Sequence, residues 1–181
     1  MRAPTSIAAV ALAVLLLSGC VPQQSTNTPT PEPSSTPVFA SEEEALAAAT
    51  AAYAAYVTLS DQIFVEGGKD PERMSSVATG EFLKASVEGF AEVQAKGWVS
   101  TGGTVFRGAT LQSYSEVGGR EAVVIYVCED ISAVDVLDSS KISIVSPDRP
   151  NSTTFQATFD SDGNRPSLFL SSREVWSNDP C

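Results

Sequence analysis

From residue 41 onward the apolar positions recur first every three or four residues and later every two. Leu46, Ala49, Tyr53, Tyr56, Val57, Ser60 and Phe64 share one face of a long helix. Ser41-Glu42-Glu43-Glu44 starts it as a capping box, with Ser41 as N-cap, Glu44 reaching back to it and acidic side chains facing the positive end of the dipole. Gly67-Gly68 ends it. Asp70-Pro71-Glu72 restarts a short helix, Asp70 capping and Pro71 in the first turn, where its missing N–H is tolerated. A third helix runs from Thr79 or Gly80 to Lys96, burying Phe82, Leu83, Ser86, Phe90 and Val93, with Gly97 as its C-terminal cap.

After Trp98 the period falls to two. Strands are predicted over 104–115, 122–129, 134–137, 141–145, 153–160 and 168–176. Val123 to Val127 is apolar without alternation, which predicts a central strand covered on both faces. Turns follow at Val117-Gly118-Gly119-Arg120 and at Ser161-Asp162-Gly163-Asn164, where Gly and Asn accept positive φ. Helices followed by a run of strands make an α+β domain. No repeat, phosphate-binding loop or dinucleotide fingerprint interrupts it.

Before this domain the pattern is different. Ile7 to Leu17 is an apolar run of about eleven residues behind Arg2, whereas a membrane-spanning helix needs about 20. A short apolar core followed by small residues has the form of a secretory leader. It closes on Leu17-Ser18-Gly19-Cys20, which resembles the lipobox of bacterial lipoproteins. That resemblance implies removal of residues 1–19 and lipidation of Cys20 as the first mature residue. Two or three acyl chains anchor stably where one does not, so the protein is expected on the extracytoplasmic face of the cell membrane. Residues 20–40 then read as a tether. Pro22, Pro29, Pro31, Pro33 and Pro37 stand among Ser, Thr, Gln and Asn, with too few apolar groups to offset ordering. An extended chain of this kind spans up to ~50 Å.

Residues 41–181 suffice for one domain with a proper core. The chain carries 11 basic and 22 acidic residues, net −11, and loses Arg2 with the leader. Such a surface repels nucleic acid and anionic lipid, and no basic stripe offsets it, so nucleic acid is not expected as a partner. Setting Cys20 aside leaves Cys128 and Cys181, an even pair in an exported chain. A bridge between them would tie the C-terminus to the central strand and add about 3–4 kcal/mol by loop closure. A catalytic thiol or a zinc site are the alternatives. The chain has no histidine to activate a thiolate or complete a Cys/His set, which favours the disulfide.

The order of a long helix, a short helix, a third helix and then an antiparallel sheet resembles the NTF2-like, or cystatin-like, cone. With the lipobox, the tether, the Ala-Ala-Tyr53-Ala-Ala-Tyr56 helix, Val127-Cys128-Glu129-Asp130, Val134-Asp135-Val136, Trp176 and Cys181, the chain is similar to exported actinobacterial lipoproteins of that fold. The resemblance implies a curved sheet and a pocket between it and the helices. Tyr53, Tyr56, Phe90 and Tyr126 are the candidate lining residues, with Phe64, Phe82, Trp98 and Phe106 as further wall or core. Among the phenols a buried O–H needs a partner. Enzymes of the family use a histidine–carboxylate pair, absent here, or a tyrosine with a carboxylate. The latter would fall to Tyr126 with Asp130, Asp135 or Glu129 in a lyase or isomerase. Carboxylates at 129, 130 and 135 do not match a calcium loop. The expected function is a non-catalytic binding or interaction module for an apolar small molecule or an envelope protein. It has no catalytic residue, metal or cofactor assigned. A purely structural envelope lipoprotein is the other alternative.

Overall fold

Ser41 opens the first helix: its Oγ accepts the Glu44 N–H at 3.2 Å, and three glutamates occupy the first turn. The computed structural model of the chain describes residues 38–117, 119–161, 167–177 and 181. The expected leader, Cys20, the expected tether up to residue 37 and most of the turn expected at Ser161–Asn164 lie outside the described residues. Helix α1 spans Glu42–Val65 and buries Ala45, Ala49, Tyr53, Val57 and Ile63. The capping box is shifted by one residue: the Glu44 carboxylate accepts from the Ala40 N–H at 2.8 Å, not from Ser41.

The folded part begins earlier than the expected Ser41. Phe39 is buried against the edge of Tyr114, and the Val38 N–H donates to Glu121 Oε1 at 2.7 Å. An aromatic side chain with a place in the core is not tether.

Gly68 closes the turn after α1. At φ +77° it holds a conformation L side chains rarely adopt, and a Cβ there would lie 2.2 Å from the Phe90 carbonyl oxygen. This close approach brings the next helix against the end of α1. A 3₁₀ helix at Pro71–Ser76 intervenes, and Met74 anchors it in a small core with Ile63 and Ala78. Asp70 does not cap it. Its backbone is left-handed, at φ 48°, and its side chain makes no cap bond, so Pro71 alone starts the turn.

Helix α2, Gly80–Lys96, ends at Gly97 as its spacing predicts. Its apolar face is less covered than the sequence suggests. Phe82, Leu83, Ser86, Phe90 and Val93 are only half-buried, and no residue of α2 is fully buried.

Strands β1 (Val99–Thr101) and β4 (Asp135–Leu137) form a two-stranded antiparallel sheet, Val99 opposite Leu137. The main sheet is antiparallel in the order β2-β3-β5-β6, from Val105–Val117, Arg120–Asp130, Ser152–Ser161 and Leu168–Ser177. Register shifts interrupt β2 opposite β3 and β5 opposite β6, and such bulges bend strands. Residues 141–145 form no strand; only Ser143 bridges to Leu137, while Asp138 Oδ1 accepts from the backbone of Ser140 and Ile142 and folds the segment into a turn.

Helix α1 packs on β2, β3 and β6, and the core lies between. The inward positions of β3 are Glu121, Val123, Ile125, Val127 and Glu129, all buried. Val124 and Tyr126 point the other way and are half-buried, so among the described residues β3 is central but fully covered on one face only. This corrects the expectation of a strand apolar on both sides. Cys128 shares their face, yet it is buried because Cys181 lies on it in a disulfide, with Cα atoms 5.8 Å apart. No helix among the described residues is long and apolar enough to cross a membrane.

Candidate functional site

Three polar side chains meet inside the apolar layer between α1 and the sheet. Tyr53 is fully buried, edge-on to Phe106 and Phe159. Its phenol donates to Glu129 Oε1 at 2.6 Å and accepts from Arg173 Nε at 3.1 Å. Arg173 also pairs with Glu129 through Nη2 and Oε2, and its guanidinium lies 3.4 Å over the Phe155 ring. Residues from α1, β3 and β6 thus satisfy one another where an unpaired charge would cost several kcal/mol. Burial pushes the Tyr53 phenol well above its ordinary value. Burial works against the Arg173 charge, but Tyr56, Tyr53 and Glu129 outweigh it and hold the guanidinium above its usual range. The cluster keeps a neutral phenol donating to a carboxylate already neutralised by arginine. That arrangement ties elements together and leaves no free base.

Two cavities share Tyr56, whose ring lies 5.7 Å from that of Tyr53, and one of them is lined by Glu129 and Arg173. A groove of about 400 Å³ runs between α1, the 3₁₀ helix and α2, walled by Tyr56, Met74, Phe82, Phe90 and Val93, with Ser60 and Ser86 as its polar points. Tyr56 packs edge-on to Phe82 there. A second cavity of about 280 Å³ lies between α1 and the β1–β4 side, lined by Tyr56, Ser60, Asp61, Thr104, Arg149 and Arg173 among others. Tyr56 and Ser60, one helical turn apart, face both. Burial raises the Tyr56 phenol, which therefore stays protonated at neutral pH.

Of the four residues expected to line a pocket, Tyr56 and Phe90 do so together, in the α1–α2 groove. Tyr53 belongs to the core instead. Tyr126 does not join them: strand alternation puts it on the other sheet face, 4.8 Å from the ring of exposed Trp176, where it lines a separate cavity of about 370 Å³ with Arg107, Thr154 and Cys181. Phe106 and Phe64 pack against Tyr53 and Phe90 respectively, and Trp98 lies under the Lys96 ammonium. The carboxylates suggested as partners for Tyr126 are also elsewhere. Asp130, four residues along the strand and ~13 Å away, pairs with Arg107 at 3.5 Å and accepts from the Ser132 N–H. Asp135 accepts from Ser143 Oγ at 2.6 Å. Glu129 faces the opposite side, toward Tyr53. Tyr126 and these acids therefore form no common site. Among the described residues no three or more His, Cys, Asp or Glu side chains are grouped to hold a metal ion.

Arg173 and the inward role of Glu129 were the parts sequence reasoning missed. A signal existed: Glu129 keeps the parity of Val123, Ile125 and Val127, so it had to be buried and to need a cation. Which cation was not written locally.

No family model matches the sequence, and no curated protein matches it. Among solved structures, the intermembrane space region of the chloroplast protein ARC6 is similar, with a TM-score of 0.51 at 15% identity, covering 71% of this chain and 95% of that one. At this identity the likeness is one of fold alone. The class defined is an α+β domain, helices packed on one face of an antiparallel sheet.

Proposed function

We propose that the chain is a membrane-anchored extracytoplasmic lipoprotein whose NTF2-like domain is a non-catalytic binding module, with the α1–α2 groove as its seat for an apolar small molecule. The observation that carries the reading is that groove. Its walls are aromatic and aliphatic, it has a few polar points, and its volume falls within the range of small-molecule sites. Helix α2 leaves its apolar face half-covered on that side, where a close-packed core would have filled it. The buried acid and phenol beside it are engaged with Arg173, which argues for binding over proton transfer. The NTF2-like assignment rests on the order of helices and strands, and the anchor on the Leu17–Cys20 motif.

Two experiments test it. Cys20→Ala should leave an uncut, unacylated precursor; normal processing of that variant would remove the lipoprotein reading. A neutral apolar probe such as N-phenylnaphthylamine should bind the protein and brighten. Gly89, which lines the groove with open space above it, offers the control: Gly89→Phe should abolish that signal. Probe binding unaffected by Gly89→Phe would place the ligand elsewhere.

A further inference from the structure

Among the described residues, the second cavity holds one charge of each sign that has no oppositely charged partner. Arg149 reaches in from the loop between β4 and β5, and its Nη2 donates to the carbonyl oxygens of Ile131 and Val134 at 2.9 and 2.8 Å. Asp61 enters from α1, and its two carboxylate oxygens accept from the N–H and the hydroxyl of Thr104 at 2.7 and 2.9 Å. Both groups are half-buried and both line the same cavity. Each is held by neutral partners, and neither has an oppositely charged side chain within 4 Å among the described residues. The other two charges of the cavity, Arg173 and Glu129, neutralise each other. A guanidinium and a carboxylate that line one small cavity without pairing with each other complement a ligand that carries both signs.

We propose that this cavity binds a zwitterionic group, its ammonium at Asp61 and its anionic oxyacid at Arg149. Arg149 keeps N–H groups beyond the one nitrogen that holds the carbonyls, in the planar fork that suits a carboxylate or phosphate. Asp61 retains lone pairs on both oxygens for an ammonium. Tyr56 and Ser60 form the wall shared with the apolar groove. An amphiphile carrying such a head would pass its apolar part beyond Tyr56 and Ser60 into the groove. That last step rests on the proposed function; the headgroup site does not.

The test is calorimetry on the full chain carrying Cys20→Ser, which has no acyl group and leaves every described residue unchanged. Dihexanoyl phosphatidylethanolamine, as monomers, is compared with dihexanoyl phosphatidylglycerol, an anion only, and hexylamine, a cation only. The zwitterion should bind at least tenfold tighter than either. Asp61→Asn should reduce it to the level of the anion, and Arg149→Gln to that of the amine, while Arg149→Lys retains part of the gain. Equal affinity for the three heads in the unsubstituted cavity, a result independent of any variant's folding, would overturn the proposal. So would folded Asp61→Asn and Arg149→Gln chains that keep the preference. Tailless glycerophosphoethanolamine binding as tightly as the lipid would uphold the headgroup site and remove the groove from the ligand's path. Free β-alanine binding tighter still would keep the zwitterion and make its source a soluble molecule.

Discussion

Tyr53 and Glu129, 76 residues apart in the chain, meet through a 2.6 Å hydrogen bond inside the core. Arg173 closes the triangle from β6. Tyr53→Phe removes the phenol's bonds to Glu129 and from Arg173 but leaves those two paired with each other, so a loss of about 1.5–3 kcal/mol is expected in urea unfolding. Glu129→Gln strands the Arg173 guanidinium against Phe155 and should cost more, about 3–5 kcal/mol. A smaller loss for Glu129→Gln than for Tyr53→Phe would contradict this order.

The same phenol sets an alkaline limit. Tyr53 is raised above its ordinary value of 10.0 in the folded chain. Its contribution is complete below pH ~10, where the unfolded phenol is still protonated, and falls as pH rises because only the unfolded chain then releases the proton freely. Thermal melts between pH 9 and 11 should show a decline that is shallower in Tyr53→Phe. At the acid end the sign reverses. Asp130 is held below its usual range by Ser132 and Arg107, so its support is present above that range and is lost as pH falls through it.

The disulfide closes a sequence separation of 53 residues. Cys181→Ser should lower stability by about 3–4 kcal/mol in the loop-entropy model. Cys128→Ser should cost a similar amount, and the double variant hardly more, since one cross-link is lost in each. Additive losses in denaturant titrations would show that the thiols contribute separately.

Two glycines, Gly89 within α2 and Gly68 packed against it, should respond in opposite directions. Gly89 sits within the helix with open space around its Cβ position, so Gly89→Ala should stabilise by about 0.5–1 kcal/mol through helix propensity. Gly68→Ala puts a methyl group 2.2 Å from the Phe90 carbonyl at positive φ and should destabilise by about 3 kcal/mol. Paired melting curves would check both signs.

Local chemistry carried far in this chain. The Ser41 cap, the end of α2 at Gly97 and the period change after Trp98 are each written within a few residues, and α1, α2 and most of the main strands follow from them. The Cys128–Cys181 pairing was legible because, with Cys20 set aside on its lipobox resemblance, only one pair remains. Tertiary structure alone decided the rest. Tyr126 and Glu129 are three residues apart, yet strand parity sends them to opposite faces, so the expected tyrosine–carboxylate neighbours never meet. Whether β3 was covered on one face or two depended on how many layers the chain could supply. With the described helices on one side only, Tyr126 was left half-buried beside Trp176 on the other face. The counter-charge for Glu129 came from Arg173, 44 residues away, whose long side chain reaches it from β6 across β5, over the Phe155 ring. Which charges find partners, and which are left facing a cavity as Asp61 and Arg149 are, depends on long-range register and loop closure, and no short window of sequence records either.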